Sequence, residues 1–465
     1  MLQASEYNAE EFFVWFRGVS DFRKVENRKT LVKTAKAKLL LMFSYFIFLF
    51  SIVISLNYLF FREGKFGFVL FLIFILATPY ITLFTTALAS IVINIIQVPI
   101  ERRIINSAKQ KLKKHKAIKI AIVGSYGKTT MKEILRTVLS QTKNTRATPD
   151  NKNTPLGISR FINTLEGNEE ILLFEMGEYY KGDIKLLCDL VDPSIGIITG
   201  VNEAHLDKFK HIENTVDTIF ELADFLNKKE NTYLYINGES KLVKEKAKSL
   251  ENKKVVVYDD KGVGEFNIED LKTDLSGVNF VLRDKNGESI VARSSLLGKH
   301  QAGPLALSAF VAKSLGVKLQ DIEIGIKNTK AFDHRMQPRE DSGGVFVIDD
   351  SYNGNPDGVR VAIEFLKEVK DKRRFFITPG LVEMGRKTGE VHKEIGRQLA
   401  ESGIEKVVLI KNSVTYFIET GLKENNFKGE IIWFDTSMEC FSALPKRTIN
   451  NDLLLYQNDW PDNYR

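Results

Sequence analysis

The sequence predicts an α/β protein: two domains built on parallel sheets, preceded by a pair of helices apolar enough to cross a bilayer. Three observations carry that prediction. The loop Gly124-Ser125-Tyr126-Gly127-Lys128-Thr129-Thr130 stands between an apolar run at 118–123 and the helical pattern Met131, Ile134, Leu135, Val138. From Ala117 onward, apolar runs of strand length alternate with helical segments, the pattern of a sheet covered by helices. Ahead of both lie two long stretches without a charge.

Along the chain, residues 1–38 make a basic juxtamembrane segment with Phe12, Phe13, Trp15 and Phe16 among its basic residues; a surface-lying stretch and a solvated tail both fit it. Leu39 to Phe61 is an uncharged run of about 23 residues, long enough for a hydrocarbon core of roughly 30 Å. Phe66 to Ile100 is a second such run, interrupted by Pro79, and only Arg62-Glu63-Gly64-Lys65 separates the two. Residues 39–100 are therefore expected to form a transmembrane helical hairpin. Lysines and arginines crowd both outer flanks, which the positive-inside rule places in the cytoplasm.

Strands expected at 118–123, 171–175, 195–200, 232–236 and 254–258 build a P-loop parallel-sheet central domain over 117–330. It includes a polar, hairpin-like stretch at 266–297 and a helix rich in Ala and Leu that opens at Leu297-Gly298-Lys299-His300. A second series, with strands at 345–349, 373–378, 406–410 and 430–434, makes a Rossmann-like C-terminal α/β domain over 331–465. The length of 465 residues suffices for these cores. The net charge of +7 sits in blocks beside the apolar runs and on no nucleic-acid module, so a nucleic-acid partner is not expected. Cys188 and Cys440 are the only cysteines, which excludes a Cys-rich zinc site and argues against a disulfide framework.

The loop is a phosphate cradle. A strand delivers it, its glycines let backbone N–H groups turn toward an anion, and the next helix aims its positive end at the same place. Lys128 would reach the outer phosphates and Thr129 would hold Mg²⁺, with Gly124, Ser125, Tyr126, Gly127 and Thr130 completing the nucleotide cradle. The spacing is G-x-x-G-K-T-T, with Ile122 where the common P-loop has its first glycine. Phe174-Glu175-Met176-Gly177 and Asn202-Glu203-Ala204-His205 each follow an apolar strand. Ligands of open α/β sheets sit at the carboxyl ends of strands, so Glu175 and His205 are candidates to join Thr129 around the metal.

These segments, together with Asn151-Lys152-Asn153-Thr154-Pro155-Leu156-Gly157, Leu297 to His300, Arg335-Met336, Asp349-Asp350-Ser351-Tyr352-Asn353-Gly354-Asn355-Pro356, and Gly380 to Gly385 with His392, resemble the Mur ligase family in the family's order over roughly 118–460. The nearest branch adds D-alanyl-D-alanine to a UDP-N-acetylmuramoyl-tripeptide. The resemblance implies an ATP- and Mg²⁺-dependent amide-bond ligase. In it a substrate carboxylate attacks the γ-phosphate to give an acyl phosphate, and an amine then displaces phosphate through a tetrahedral intermediate. Such chemistry needs charge neutralisation and alignment more than a protein nucleophile. It further implies catalytic roles for Lys128, Glu175 and His205, metal ligation by Thr129, Glu175 and His205, nucleotide contacts from Arg335, Asp350 and Asn353, and substrate contacts from Asn151, Asn153 and Glu383.

Three departures from the family matter. The lysine that the family carbamylates to help hold a second Mg²⁺ is replaced by Ile219, which leaves three readings: one metal suffices, Glu221 or Asp217 substitutes, or catalysis is impaired. The asparagine that follows the family's Gly-x-His falls near Gly303-Pro304. In place of the N-terminal UDP-binding domain stands the apolar hairpin. The expectation is a membrane-bound Mur-type ligase of the bacterial inner or plasma membrane, multi-pass, with catalytic domains in the cytoplasm. Its partners would be the membrane, a carboxylate acceptor such as a lipid-linked or peptidoglycan precursor, and an amino acid or dipeptide. A ligase similar to poly-γ-glutamate synthases and a catalytically silent nucleotide-binding scaffold are the alternatives.

Overall fold

The computed structural model describes residues 12–13, 16–17, 33–61, 65–149, 152–202, 209–250, 255–341, 343–352, 354–382 and 384–458. It divides into two compact units, Met1–Asn106 and Ser107–Arg465.

The first unit contains the helix Ala35–Phe61 and most of the helix Lys65–Lys113, which continues through Pro79 and Pro99. The two helices run antiparallel. Lys36 donates to the Asn94 carboxamide oxygen, the Ser44 and Thr86 hydroxyls meet at 2.7 Å, and Tyr58 stacks on Phe74 with ring centres 5.1 Å apart. Hydroxyls along the second helix bond back to carbonyls one turn earlier, as Thr78 does to Phe74, which satisfies them without water. Large apolar side chains such as Met42, Phe46, Leu76 and Ile95 face outward. Both helices have the length and composition to cross a membrane.

In the second unit the described strands form two sheets. The larger runs β10-β9-β8-β7-β6-β5-β4-β1-β3-β2. Its parallel part comprises β1 (Ile118–Val123), β2 (Thr145–Ala147), β3 (Ile171–Glu175), β4 (Ile195–Ile198), β5 (Tyr233–Asn237) and β6 (Val255–Asp259). Every residue of β3 is buried, as expected where helices cover both faces of a parallel sheet. An antiparallel extension follows: β7 (Gly262–Val263), β8 (Phe266–Asp274), β9 (Gly277–Arg283) and β10 (Ser289–Ser294). The stretch expected to be hairpin-like is thus a meander that widens the same sheet. Its inner face packs with the helices Lys128–Leu139, Ala302–Ser314 and Leu319–Lys327 into one core around Ile120, Ile134, Phe266 and Leu305.

The chain leaves β1 toward β3 on one side and returns to β4 on the other. That reversal of strand order opens a crevice beyond the carboxyl ends of β1, β3 and β4.

The second sheet runs β11-β12-β16-β13-β14-β15. Its strands are β11 (Gln337–Asp341), β12 (Val345–Asp350), β13 (Arg373–Thr378), β14 (Lys406–Ile410), β15 (Glu430–Phe434) and β16 (Asp452–Gln457). All but the edge strand β11 are parallel. The helices Pro356–Glu368, Thr388–Ser402 and Thr415–Glu424 cover one face over Ile363, Phe376 and Leu399. Two strands of this sheet were not expected from the sequence: β11, and β16, which occupies the middle of the sheet; in the larger sheet β2 and β7 were not expected either.

Candidate active site

The loop after β1 enters the switch-point crevice. Gly124 has φ of 140° and Gly127 φ of 76°, values that favour glycine. A Cβ on Gly124 would also lie 2.3 Å from the Thr199 hydroxyl. That hydroxyl donates to the carbonyls of Val123 and Tyr126, so the loop after β4 clamps the loop after β1. The helix Lys128–Leu139 has no side-chain cap. Its first amide N–H groups have no intrahelical acceptor and point into the crevice, the arrangement that holds anions. Within the loop, the Ser125 amide is spent on the Gly200 carbonyl at 2.8 Å, while its buried hydroxyl has no partner among the described residues.

Lys128 and Thr129 face two carboxylates. The Lys128 ammonium donates to the Gly124 carbonyl and to both oxygens of Glu178 at 3.1 Å. The Thr129 hydroxyl donates to Glu175 Oε2 at 3.0 Å. Asn153 donates to Glu175 Oε1 at 3.3 Å, the Thr148 hydroxyl accepts from the Glu175 amide at 3.0 Å, and the fully buried Lys132 ammonium lies 3.1 Å from Glu175 Oε2. Two oxygens 3.0 Å apart match neighbouring corners of an octahedron with bonds of about 2.1 Å, which is Mg²⁺ geometry. Among the described residues no cluster of three His, Cys, Asp or Glu side chains forms a protein-only metal cage. One hydroxyl and one carboxylate, completed by phosphate oxygens, suit the way Mg²⁺ is held in nucleotide sites.

The second sheet closes the crevice from the other side. Asn202, after β4, donates to Asn355 at 2.7 Å and to Asp357 at 3.1 Å, tying the central sheet to the first turn of the helix Pro356–Glu368. A cavity of about 140 Å³ between them is lined by Gly127 and Thr130 from the loop and by Arg335, Met336 and Asp350. The Arg335 guanidinium stacks 5.1 Å above the centre of the Tyr352 ring. Asp350 accepts from the Met336 amide at 3.1 Å, yet burial pushes its carboxyl up to about 7 against the opposing pull of Arg335 and that hydrogen bond. Tyr126, Glu239, His300 and Arg360 line both this cavity and a wider cleft of about 530 Å³ beside it. Burial raises the Tyr126 phenol above its ordinary range and lifts Glu239 to about 7, helped by Asp260 and Asp259. His300 is pushed down to about 4 by burial and then by Arg360, so its imidazole is neutral. His300 Nδ1 and Gln301 Oε1 are buried without hydrogen-bond partners among the described residues. Orphaned polar atoms at a cavity wall are what a bound polar ligand would satisfy.

The crevice therefore brings together Gly124, Ser125, Tyr126, Gly127, Lys128, Thr129, Thr130, Glu175 and Asn153, with Arg335 and Asp350 across it. His205, Asn151, Asn353 and Glu383 lie outside the described residues. Neither carboxylate considered as a replacement for the lysine absent at 219 is free for a metal. Glu221 accepts from the amides of Gly182 and Lys185 at 2.9 Å and so caps the helix Asp183–Val191; Asp217 pairs with Lys246 at 2.8 Å. Ile219 has no exposed surface. Gly303 and Pro304 form the first turn of the helix Ala302–Ser314, and side-chain amides beside the cavity come from Asn237, Gln301 and Asn355. Sequence reasoning missed Lys132, Thr148, Glu178, Asn202 and Gln301. Two of them carried a local signal: Lys132 stands one helical turn after Lys128, and Asn202 opens the strand-end run that was read for His205.

A family model for the Mur ligase middle domain matches residues 122–312, and one for the Mur ligase glutamate ligase domain matches 334–456. Two relatives are UDP-N-acetylmuramoyl-tripeptide–D-alanyl-D-alanine ligases. That of Buchnera aphidicola (Baizongia pistaciae) is 28% identical over 291 residues, 63% of this chain and 62% of the relative. That of Bacillus subtilis is 23% identical over 339 residues, 73% of this chain and 72% of the relative. The chain thus spans less than two thirds of the first of these. Among solved structures, MurF from Acinetobacter baumannii superposes with a TM-score of 0.69 at 20% identity, covering 77% of this chain and 78% of that one. MurF ligase from Thermotoga maritima, in complex with ADP, gives 0.66 at 23% identity, covering 77% and 80%. At these identities the structural matches carry the fold. The relatives correct the expected localisation. They are named for a UDP-N-acetylmuramoyl-tripeptide, and the two N-terminal helices qualify as spans by length and composition alone, so the multi-pass inner-membrane placement does not stand.

Proposed function

Since the chain belongs to the Mur ligase family, we propose that it is an ATP- and Mg²⁺-dependent carbon–nitrogen ligase joining a carboxylate of a peptidoglycan precursor to an amino acid or dipeptide. We take residues 117–330 as its ATP-binding domain and 331–465 as its C-terminal domain. One observation carries the reading: the phosphate-cradling loop, the Thr129–Glu175 pair and the cavity reaching Arg335 and Asp350 all meet at one switch point.

In this reading the loop amides and Lys128 bind the β- and γ-phosphates, and Arg335 and Asp350 hold the nucleoside end. Thr129 and Glu175, with His205, would hold Mg²⁺, which would supply neutralisation of the phosphate charge. Asp350 in its ionised form accepts hydrogen bonds from ribose hydroxyls. The acceptor carboxylate attacks the γ-phosphorus and ADP departs; the amine nitrogen then attacks the acyl carbon and phosphate leaves. The clasp from Asn202 to Asn355 and Asp357 aligns the two halves, and alignment is what such a transfer needs most. Asn153, beside Glu175, is assigned to the substrate side of the site, and the family resemblance assigns Asn151 and Glu383 to substrate contacts as well. Uridine-linked and other muramoyl-peptide carboxylates are both acceptor candidates.

The test is phosphate release from ATP by the full chain over a panel of muramoyl-peptide precursors with D- and L-amino acids and dipeptides. Release that needs both an acceptor and an amine, and is lost in Lys128→Ala, is expected. Release indistinguishable from Lys128→Ala across the panel would overturn the ligase reading in favour of a silent nucleotide-binding scaffold.

A further inference from the structure

We propose that Glu178 makes nucleotide binding conditional on a divalent cation, by occupying Lys128 until a metal-complexed phosphate takes its place. The inference rests on the nucleotide-site reading above.

Glu178 follows Glu175-Met176-Gly177 at the carboxyl end of β3 and is 2% exposed. Both of its carboxylate oxygens lie 3.1 Å from the Lys128 ammonium. With the Gly124 carbonyl they take up all three donors of that ammonium. The lysine expected to grip the outer phosphates is thus already gripping an anion, beside the uncapped helix amides where a phosphate would sit. The neighbouring Lys132 is paired with Glu175 in the same way. Two lysines and two carboxylates cancel, so the described cradle offers a polyphosphate no surplus positive charge from its side chains.

A phosphate that engages Lys128 must displace one of these acceptors, and Glu178 holds two of the three donors. The freed carboxylate then sits buried beside a polyanion, and like charges in a poorly solvated site repel strongly. A divalent cation on the phosphates removes that repulsion, and removing the charge of Glu178 does so as well. The two remedies are interchangeable, which distinguishes this role from simple positioning of Lys128. A positioning residue would matter equally with and without metal.

The experiment is equilibrium binding of ATP to the full chain in excess Mg²⁺ and in EDTA, comparing wild type with Glu178→Gln and Glu178→Ala, with AMP as the control ligand. Wild type is expected to prefer the Mg²⁺ condition. Both variants should bind metal-free ATP about tenfold more tightly than wild type, a gain of ~1.4 kcal/mol, and should lie within about threefold of wild type in Mg²⁺. AMP, whose phosphate falls short of Lys128, should show no difference. An unchanged ratio of Mg²⁺ to EDTA affinities in both variants overturns the role of Glu178 alone. ATP binding by none of the three proteins in either condition overturns the nucleotide-site reading and this inference with it.

Discussion

Asp350→Asn should stabilise the protein at high pH and weaken nucleotide binding at the same time. Asp350 ends β12 in the cavity wall, and its carboxyl is lifted from 3.8 to about 7, first by burial, with Arg335 and the Met336 amide pulling the other way. A folded-state value above the unfolded one means that the native protein holds a proton the unfolded chain has released. Wild-type stability is therefore whole below about pH 4 and declines as pH rises toward 7. The step from 3.8 to about 7 corresponds to ~4 kcal/mol as a ceiling. Asp350 is half-buried, and solvent reaching the cavity lowers the expected figure to about 2–4 kcal/mol. Asparagine keeps an oxygen to accept from the Met336 amide and removes the ionisation. Urea unfolding of the nucleotide-free protein at pH 4.5 and pH 8 measures the effect: the variant should gain little at the lower pH and the full amount at the higher. ATP affinity at pH 8 should fall about tenfold or more, since an amide replaces the carboxylate proposed to hold the ribose. A stability difference equal at both pH values would show that Asp350 titrates normally and would refute the reasoning.

Three further outcomes are expected. Ile219→Lys places an ammonium at a site with no exposed surface and should cost about 3 kcal/mol or more in urea unfolding without raising phosphate release; unchanged stability would mean the side chain escapes to water. Gly200→Ala puts a Cβ 2.2 Å from the Tyr126 ring, so the ring must leave the cavity wall, and ATP affinity should drop several-fold; calorimetry showing no change would clear Tyr126 of a part in the site. His392 accepts from the Leu381 amide at 2.8 Å and donates to the Thr388 carbonyl at 2.6 Å, and burial holds its pKa below 6.5. Its contribution is complete above about pH 6.5 and fades as pH falls, so His392→Gln should cost about 1–3 kcal/mol at pH 8 and distinctly less at pH 5; a cost independent of pH would contradict the neutral imidazole.

Elements with a strong local signal were legible in the sequence, and those made by tertiary placement were not. β1 and β3 coincide with their expected bounds because each is an apolar run with a turn or loop beyond it. β16 escaped notice since Asp452–Gln457 offers only three leucines near the end of the chain, with no helical pattern after it. Its position between β12 and β13 is set by pairing with strands about a hundred residues earlier. β11, Gln-Pro-Arg-Glu-Asp, is almost wholly polar, and only an exposed antiparallel edge accommodates its proline. The loop residues of the site were legible because strand ends and helix starts carry them. Their partners were not. No spacing rule connects Lys128 to Glu178, fifty positions later, because the two meet only where β1 and β3 lie side by side.

The lysine missing at 219 looks, on the sequence alone, like a gap that a nearby acid could fill. Two acids of the same helix, Ile212–Asn227, stand close by in sequence, and the structure assigns both elsewhere: Glu221 to the amides that open the earlier helix Asp183–Val191, Asp217 to a surface lysine. Helical periodicity explains why. Ile219 points into the core, and residues two positions away lie on other faces, so neither acid can present its carboxylate where the lysine would have been. The described carboxylates that do reach the cradle come from β3 and the loop after it, Glu175 against Thr129 and Glu178 against Lys128. Charge at this site is therefore balanced from the strand side of the crevice, which is why the substitution at 219 leaves the core intact and why Glu178 is where a change in metal dependence should be sought.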